Sequence, residues 1–458
     1  MRALYDSKSK TIDDRGLGEL LSKDEMYKSW LIVEAALAKA QAENGFIPMA
    51  AAEGICEGAK IENIDFVEMD CIYQEIGHGF MPFLKVLDKA CPGDSGKYVH
   101  YGITTQNVQQ TGQQYVMKKI HKKFLILIAE ILTNLAKLAH THKDTVMPGR
   151  THGRHATPIT YGYKVAVWIT DFMEATERLI ACESRVFTVM MGGAVGTFSE
   201  MPEVGPAVQA RVAELLEMTP MKIPSRNFCS HKVEYIMNLS LLASACHKIA
   251  EEVYSTTLEE IAEVSEGFKR GTVGSSTMPH KINPKLAKGI IGNSQKLYSL
   301  NGVGLQSSVR PYEGDSSSYM VFDAILEEAL QCTTEILLRC EELTRTITPH
   351  PEKMLQNVNI NKGLDNSEYV MMQLGARLGK NSAHELLYEI AIKTAADGED
   401  FYTNLRANET IRKAFSEDEI RSMINPSNYI GCASLQAAEY AENGEQMAKK
   451  IMEHCLLF

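Results

Sequence analysis

At 458 residues the chain exceeds what one ordinary hydrophobic core fills, so two or three domains are expected. Hydrophobic residues make up 45% and charged residues 23%, a globular balance that excludes wholesale disorder. The formal net charge of -11 excludes a general binder of nucleic acid or anionic membrane, while leaving room for a local cationic pocket.

In chain order, Met1 to Asp6 has no apolar leader segment, and the residues before Thr104 read as shorter helices. From Val108, apolar residues at Val116, Ile120, Phe124, Leu127, Ile128, Ile131, Leu135 and Leu138 recur at three- and four-residue steps, with Asn107 as N-cap. Met147-Pro148-Gly149 closes this long helix. Similar stretches run roughly over 159–190, 231–266, 284–305 and 317–344, and none shows the alternation of a half-buried strand. Helices of this length predict a bundle. Gly192 to Gly196 and Lys269 to Gly274 read as loops, the second able to move because glycine lowers the cost of unusual backbone angles. Ile347 to Pro351 reads as a linker. The regions are therefore 1–104, a central bundle over 105–346, and 347–458. Ten scattered cysteines without metal spacing predict reduced, mostly buried thiols, and no uninterrupted apolar run suggests a membrane span. The expectation is a soluble, cytoplasmic protein.

Three polar clusters stand out against this background. In Gly274-Ser275-Ser276-Thr277-Met278-Pro279-His280-Lys281-Ile282-Asn283-Pro284, serine and asparagine compete with helix backbone and both prolines stop helices. On residue types alone a polar surface loop and a reactive site are equally open. In Gly149-Arg150-Thr151-His152-Gly153-Arg154-His155, two histidines and two arginines crowd a turn read as a helix start, where anions are favoured. Around Thr104, Thr105 and Asn107 the default reading is an N-cap.

These motifs carry a resemblance. GSSTMPHKINP matches the GSSxMPxKxNP pattern of the fumarase/aspartase superfamily at every fixed position. GRTHGRHATPITYG and HYGITTQN resemble segments of adenylosuccinate lyase and its relatives, and pieces near Trp30–Glu43, Gly363–Glu368 and Asn425–Gly431 resemble the 3-carboxy-cis,cis-muconate cycloisomerase branch. The resemblance implies an all-α protein of three helical domains whose long helices assemble into a homotetramer with active sites shared between subunits. It implies Ser275 as general base beside a carboxylate, with Lys281 and Asn283 binding the carbanion charge that builds there. It further implies that Thr104, Thr105, Thr151, Ser276 and His78 contact substrate, and that His152 protonates or orients the leaving group. No metal or organic cofactor is implied, and the partner is a small anionic, dicarboxylate-bearing substrate.

The departures bear on substrate. Arg2 and Tyr5 are wrongly spaced for the nucleotide-binding start of adenylosuccinate lyases, and no arginine follows Ser316-Ser317-Ser318-Tyr319, where a phosphate anchor falls. Arg226, His231, Lys232 and Arg310 read either as ligands for another anionic tail or as surface charges. Lys288 stands where relatives place the glutamate that orients His152. The expected reaction is β-elimination of fumarate and an amine from an N-substituted aspartate or related succinyl compound. The alternatives are a cycloisomerase, an adenylosuccinate lyase, and a retired homologue serving as a binding protein.

Overall fold

The computed structural model describes residues 12–267 and 273–458, so the expectations for Arg2, Tyr5 and 269–272 fall outside the described residues. Helices dominate, as the periodicity predicts. A one-turn helix α1 (Leu17–Leu20) leads into α2 (Lys23–Glu43), α3 (Met49–Gly58), α4 (Phe66–Ile76) and α5 (Met81–Ala90). Ser22 and Asp65 start α2 and α4 by accepting backbone N–H bonds at the third helical residue. Trp30, Phe80 and Phe83 form the aromatic centre of this first cluster, which also takes in Val189 to Leu216 and the helix α8 (Gly205–Leu215).

The centre is built from α6 (Thr105–Thr141), α7 (Tyr161–Val186), α9 (Ser230–Thr256), α10 (Lys285–Ser307) and α11 (Ser316–Thr346). Contacts between their ends give the directions. His121 of α6 meets Tyr235 near the start of α9 and Glu183 near the end of α7. Asn134 of α6 meets Thr344 near the end of α11, and Asn301 towards the end of α10 meets Ser240 in the first half of α9. Thus α6, α9 and α11 run one way and α7 and α10 the other. One continuous core fills the space between them, with Ile120, Phe124, Ile128, Phe172, Leu239 and Leu337 almost wholly buried. An 18-residue window of α6 has mean hydropathy 1.4, enough by length and composition to cross a membrane, but 61% of it is buried within the protein. That is the mark of a core helix.

Beyond α11 come α12 (Pro351–Val358), α13 (Ser367–Leu378), α14 (Lys380–Asp397), α15 (Phe401–Ala407), α16 (Glu409–Ala414) and α17 (Glu417–Ile424), and α13 to α17 close a third apolar cluster on Phe401, Leu405 and Ile411. The last helix, α18 (Ala433–Leu457), returns to the bundle. There Ala441, Ala448 and Ile451 join its core, and Gly444 lets Ile169 approach.

Three expectations change. The segment after Thr141 is not merely a stop: β1 (Val146–Thr151) and β2 (Arg154–Thr160) form an antiparallel hairpin, and α7 begins only at Tyr161. The cap of α6 is Thr104 rather than Asn107, because the Asn107 side chain reaches back to the Thr104 N–H at 3.2 Å. The stretch expected to stay helical to Glu266 stops at Thr256. Ala262 then takes a positive φ of 50°, and Val264–Ser265 pairs with Thr348–Pro349.

Candidate active site

The two ends of the bundle hold different parts of the predicted site. At the Thr105 end, Asn107 is fully buried, and its Oδ1 accepts from both Thr104 N and Gly193 N, at 3.2 and 3.0 Å. One amide oxygen thus ties the helix start to the Gly192–Gly196 loop, where φ is positive at Gly193 and Gly196. A carboxylate at 107 would accept the same two bonds, so the charge lost there does not cost the geometry. Upstream, His100 has φ 60° and is held by the buried Glu34, which takes its N–H at 3.1 Å and its Nδ1 at 2.7 Å. Thr104 and Thr105 are half-buried. His78 is exposed; its Nδ1 accepts the Phe80 and Met81 N–H groups at 3.1 and 3.0 Å, which leaves Nε2 to carry the proton.

At the opposite end stands the hairpin. Thr151 and Arg154 pair across a two-residue turn whose central residues, His152 and Gly153, have φ 52° and 72°, a type I′ arrangement. His152 is therefore held in a left-handed backbone that side chains rarely adopt, and its ring is exposed. The hairpin is anchored from below. Arg150 pairs bidentately with the fully buried Glu263 at 2.9 and 2.6 Å, and Asn357 Nδ2 donates to the same carboxylate at 2.8 Å. His155 Nδ1 lies 3.2 Å from the buried Asp365, tying the outer strand to the third cluster. His155 and Arg150 thus hold the hairpin, while His152 and Thr151 are left at its tip. None of Glu263, Asp365 or their partnerships was visible in the sequence, where 94 to 210 residues separate the members.

The 274–284 loop lies at this same end, entering α10. Ser275 is half-buried, and its Oγ accepts N–H bonds from Thr277 and Met278 at 3.3 and 3.1 Å. Two amides aimed at one hydroxyl oxygen favour its anionic form over the neutral one. Asn283 Nδ2 donates to the Gly274 carbonyl at 3.0 Å, closing the loop, and a Cβ at Gly274 would overlap the Lys281 carbonyl oxygen. Ser276 and Lys281 are exposed, as are the apolar Val273, Met278 and Ile282. Glu266 accepts from Leu286 N and Ala287 N at 3.0 and 2.6 Å, capping α10 from outside, and Lys288 follows one turn into that helix.

Within one chain the hairpin and the 274–284 loop share an end. Thr104, Thr105 and His78 do not join them: α6 has 37 residues, so its two ends lie about 54 Å apart at 1.5 Å per residue.

Comparison with known proteins bears on the family and the fold. A family profile described as "Lyase" matches residues 14–297, and one described as "Adenylosuccinate lyase C-terminus" matches residues 363–440. The chain is 34% identical to an adenylosuccinate lyase of Pyrococcus abyssi, covering 92% of this chain and 94% of the relative. It is 32% identical to an N-acetyl-S-(2-succino)cysteine lyase of Enterococcus italicus, covering 88% and 89% respectively. The solved fumarate lyase of Mesorhizobium sp. BNC1 superposes with a TM-score of 0.87 at 27% identity, over 94% of this chain and 98% of that one.

Proposed function

This chain belongs to the fumarase/aspartase superfamily of lyases, on its adenylosuccinate lyase branch, and on that premise we propose that it eliminates fumarate from a succinyl-bearing substrate, with an amine as the leaving group. Ser275 takes the proton from the carbon beside one carboxylate. Electron density passes onto that carboxylate, where Lys281 and Asn283 meet it, then returns to form the double bond as the bond to nitrogen breaks. The nitrogen receives a proton from His152 or from water. Thr104, Thr105, Thr151, Ser276 and His78 hold the succinyl carboxylates. The cost of making serine a base is met by donors fixed before the reaction, since groups already aimed at the developing charge need not reorganise.

The observation that carries this reading is the pair of amide N–H groups on Ser275 Oγ, in a loop that its own glycine and asparagine hold shut. The 54 Å separation supports sharing of sites, because a small substrate reaches both Thr104 and Ser275 only where different subunits bring them together. Exposed Val273, Met278 and Ile282 give the loop an apolar surface for such a neighbour. A homotetramer in the cytoplasm is the assembly proposed.

The relatives named for adenylosuccinate and for a succinylated cysteine share the succinyl half, so sulfur as the leaving atom is the second reading. Ultraviolet absorbance decides between them: fumarate is mixed with amines and thiols, and separately adenylosuccinate and carboxymuconate are supplied. Wild-type protein is expected to act on a succinyl compound, and Ser275→Ala to lose about 10²- to 10⁴-fold in kcat without a change in melting. Full activity in Ser275→Ala would falsify the assignment of the base. No turnover of any compound would favour the retired homologue.

A further inference from the structure

The proposed chemistry assigns residues to the succinyl half of a substrate, and to the group that departs only a proton source, His152 or water. The Thr105 end of the bundle holds a second polar cluster. Arg226, half-buried, donates through Nε to Gln106 Oε1, the residue directly after Thr105, and through Nη1 to the Ala194 carbonyl at 3.1 Å. Among the described residues nothing engages its Nη2, and no carboxylate pairs with it. Arg310 is committed differently: Nε, Nη1 and Nη2 donate to the Ser307 carbonyl, the Arg226 carbonyl and Cys229 Sγ, each at 3.1 Å. It fixes the backbone of Arg226 while adding a second positive charge.

The neighbouring acids offset this cluster only in part: Asp323 acts on Lys232 and Arg310, and neither it nor Asp315 is bonded to Arg226. Asp315 caps α11, its Oδ2 taking the Ser318 N–H and both serine hydroxyls. Asp323 accepts from Gln113 at 2.9 Å, and the fully buried Lys232 donates to that same glutamine at 3.1 Å. His231, 5% exposed, lies beside Lys232 and Arg310, and its imidazole is pushed down to about 3 by burial first, then by those two charges. The Arg226 guanidinium, held by an amide oxygen and a carbonyl, carries a charge that no bonded carboxylate meets among the described residues, which is costly at partial burial unless a counter-charge arrives. Gly314 keeps the approach open, since a Cβ there would come within 3.1 Å of Arg226 Cζ.

We infer that Arg226 determines leaving-group specificity: its free edge binds an anionic oxygen group, carboxylate or phosphate, carried by the departing amine or thiol, with Arg310 as its positioning residue. A planar guanidinium already fixed on two of its three nitrogens loses little freedom on taking such a ligand. This rests on the elimination proposed above and names the half of the substrate which that proposal leaves open.

The test uses matched probes in the presence of fumarate: N-acetylcysteine against N-acetylcysteamine, which lacks the carboxylate, and AMP against adenosine, which lacks the phosphate. Binding is read by calorimetry, and addition to fumarate by ultraviolet absorbance. Wild type is expected to bind the anionic member of one pair at least about tenfold more tightly, and that pair identifies the anion. Arg226→Gln is expected to bring the ratio within about threefold, and Arg226→Lys to restore part of it. Melting curves of each variant confirm the fold. The inference is overturned if wild type prefers neither anion, if Arg226→Gln keeps the ratio, or if that variant loses fumarate affinity to the same degree, which would place Arg226 on the succinyl half. Selective binding by wild type, lost in Arg226→Gln, without addition of any probe would leave the subsite standing and sink the lyase reading instead.

Discussion

The two ends of the helical bundle are finished to different degrees. At the Thr105 end, polar groups are interlocked: Asn107 joins a helix start to a glycine loop, Glu34 fixes His100, and Arg310 braces Arg226. At the other end the supports are just as firm, with Arg150 on Glu263 and Glu266 on α10, but the groups they carry are presented outward. His152 stands exposed at the hairpin tip, and Ser276 and Lys281 stand exposed among apolar side chains of their own loop. The difference separates two tasks. On the proposed function, one end would be organised within the chain to recognise a ligand, whereas the other would carry the reactive groups on rigid mounts to a surface completed by a partner. Rigidity lies beneath the reactive residues, not in them.

The largest effect that would break this comparison lies in the mount. Glu263 is fully buried, and its carboxylate serves Arg150 and Asn357. Glu263→Ala is expected to cost about 3–5 kcal/mol, because it removes a fully buried carboxylate and strands both the part-buried Arg150 guanidinium and the buried Asn357 amide. Denaturant unfolding measures it. A loss below about 1 kcal/mol would show the hairpin to be supported from elsewhere. A smaller change sharpens the comparison without touching the core. Gly274→Ala sets a Cβ against the Lys281 carbonyl oxygen, and the expected strain of about 1–3 kcal/mol falls on the loop. Activity is expected to drop about 10- to 100-fold with unchanged melting. A fall in melting with activity intact would reverse the assignment, making the loop structural.

How much of this was legible follows from the range of each interaction. The five bundle helices repeat their apolar positions over more than twenty residues, and periodicity of that length survives local exceptions. The hairpin carried no comparable signal. Pro148 and Pro158 face each other across it, a bulge follows Pro148, and its burial does not alternate, so the pattern that marks a half-buried strand is absent. Thr104 and Asn107 are both capping types three residues apart, and only the reciprocal bond to the Thr104 N–H decides between them. The loop 274–284 was readable because its chemistry lies in consecutive residues. Arg226 on Gln106 and Arg150 on Glu263 span 120 and 113 residues, and nothing local announces either.

The smallest expected effect concerns the recognition end and depends on pH. His231 is buried beside Lys232 and Arg310, and its folded value near 3 lies below the ordinary 6.5. The unfolded chain therefore binds this proton more readily, and the contribution to stability is full above about pH 6.5 and declines as pH falls towards 3. Each pH unit in that window is worth at most about 1.4 kcal/mol for one group. His121, also buried and shifted down by burial, adds to the same slope. Replacing His231 by phenylalanine keeps a ring against Phe228, on which it stacks with centroids 5.2 Å apart, and removes one titration. Between pH 6.5 and 5, the stability of His231→Phe is expected to fall less steeply than that of wild type, by up to that amount per unit. Parallel slopes in urea titrations across this range would mean that burial, with Lys232 and Arg310 beside it, does not hold the His231 imidazole neutral in the folded chain.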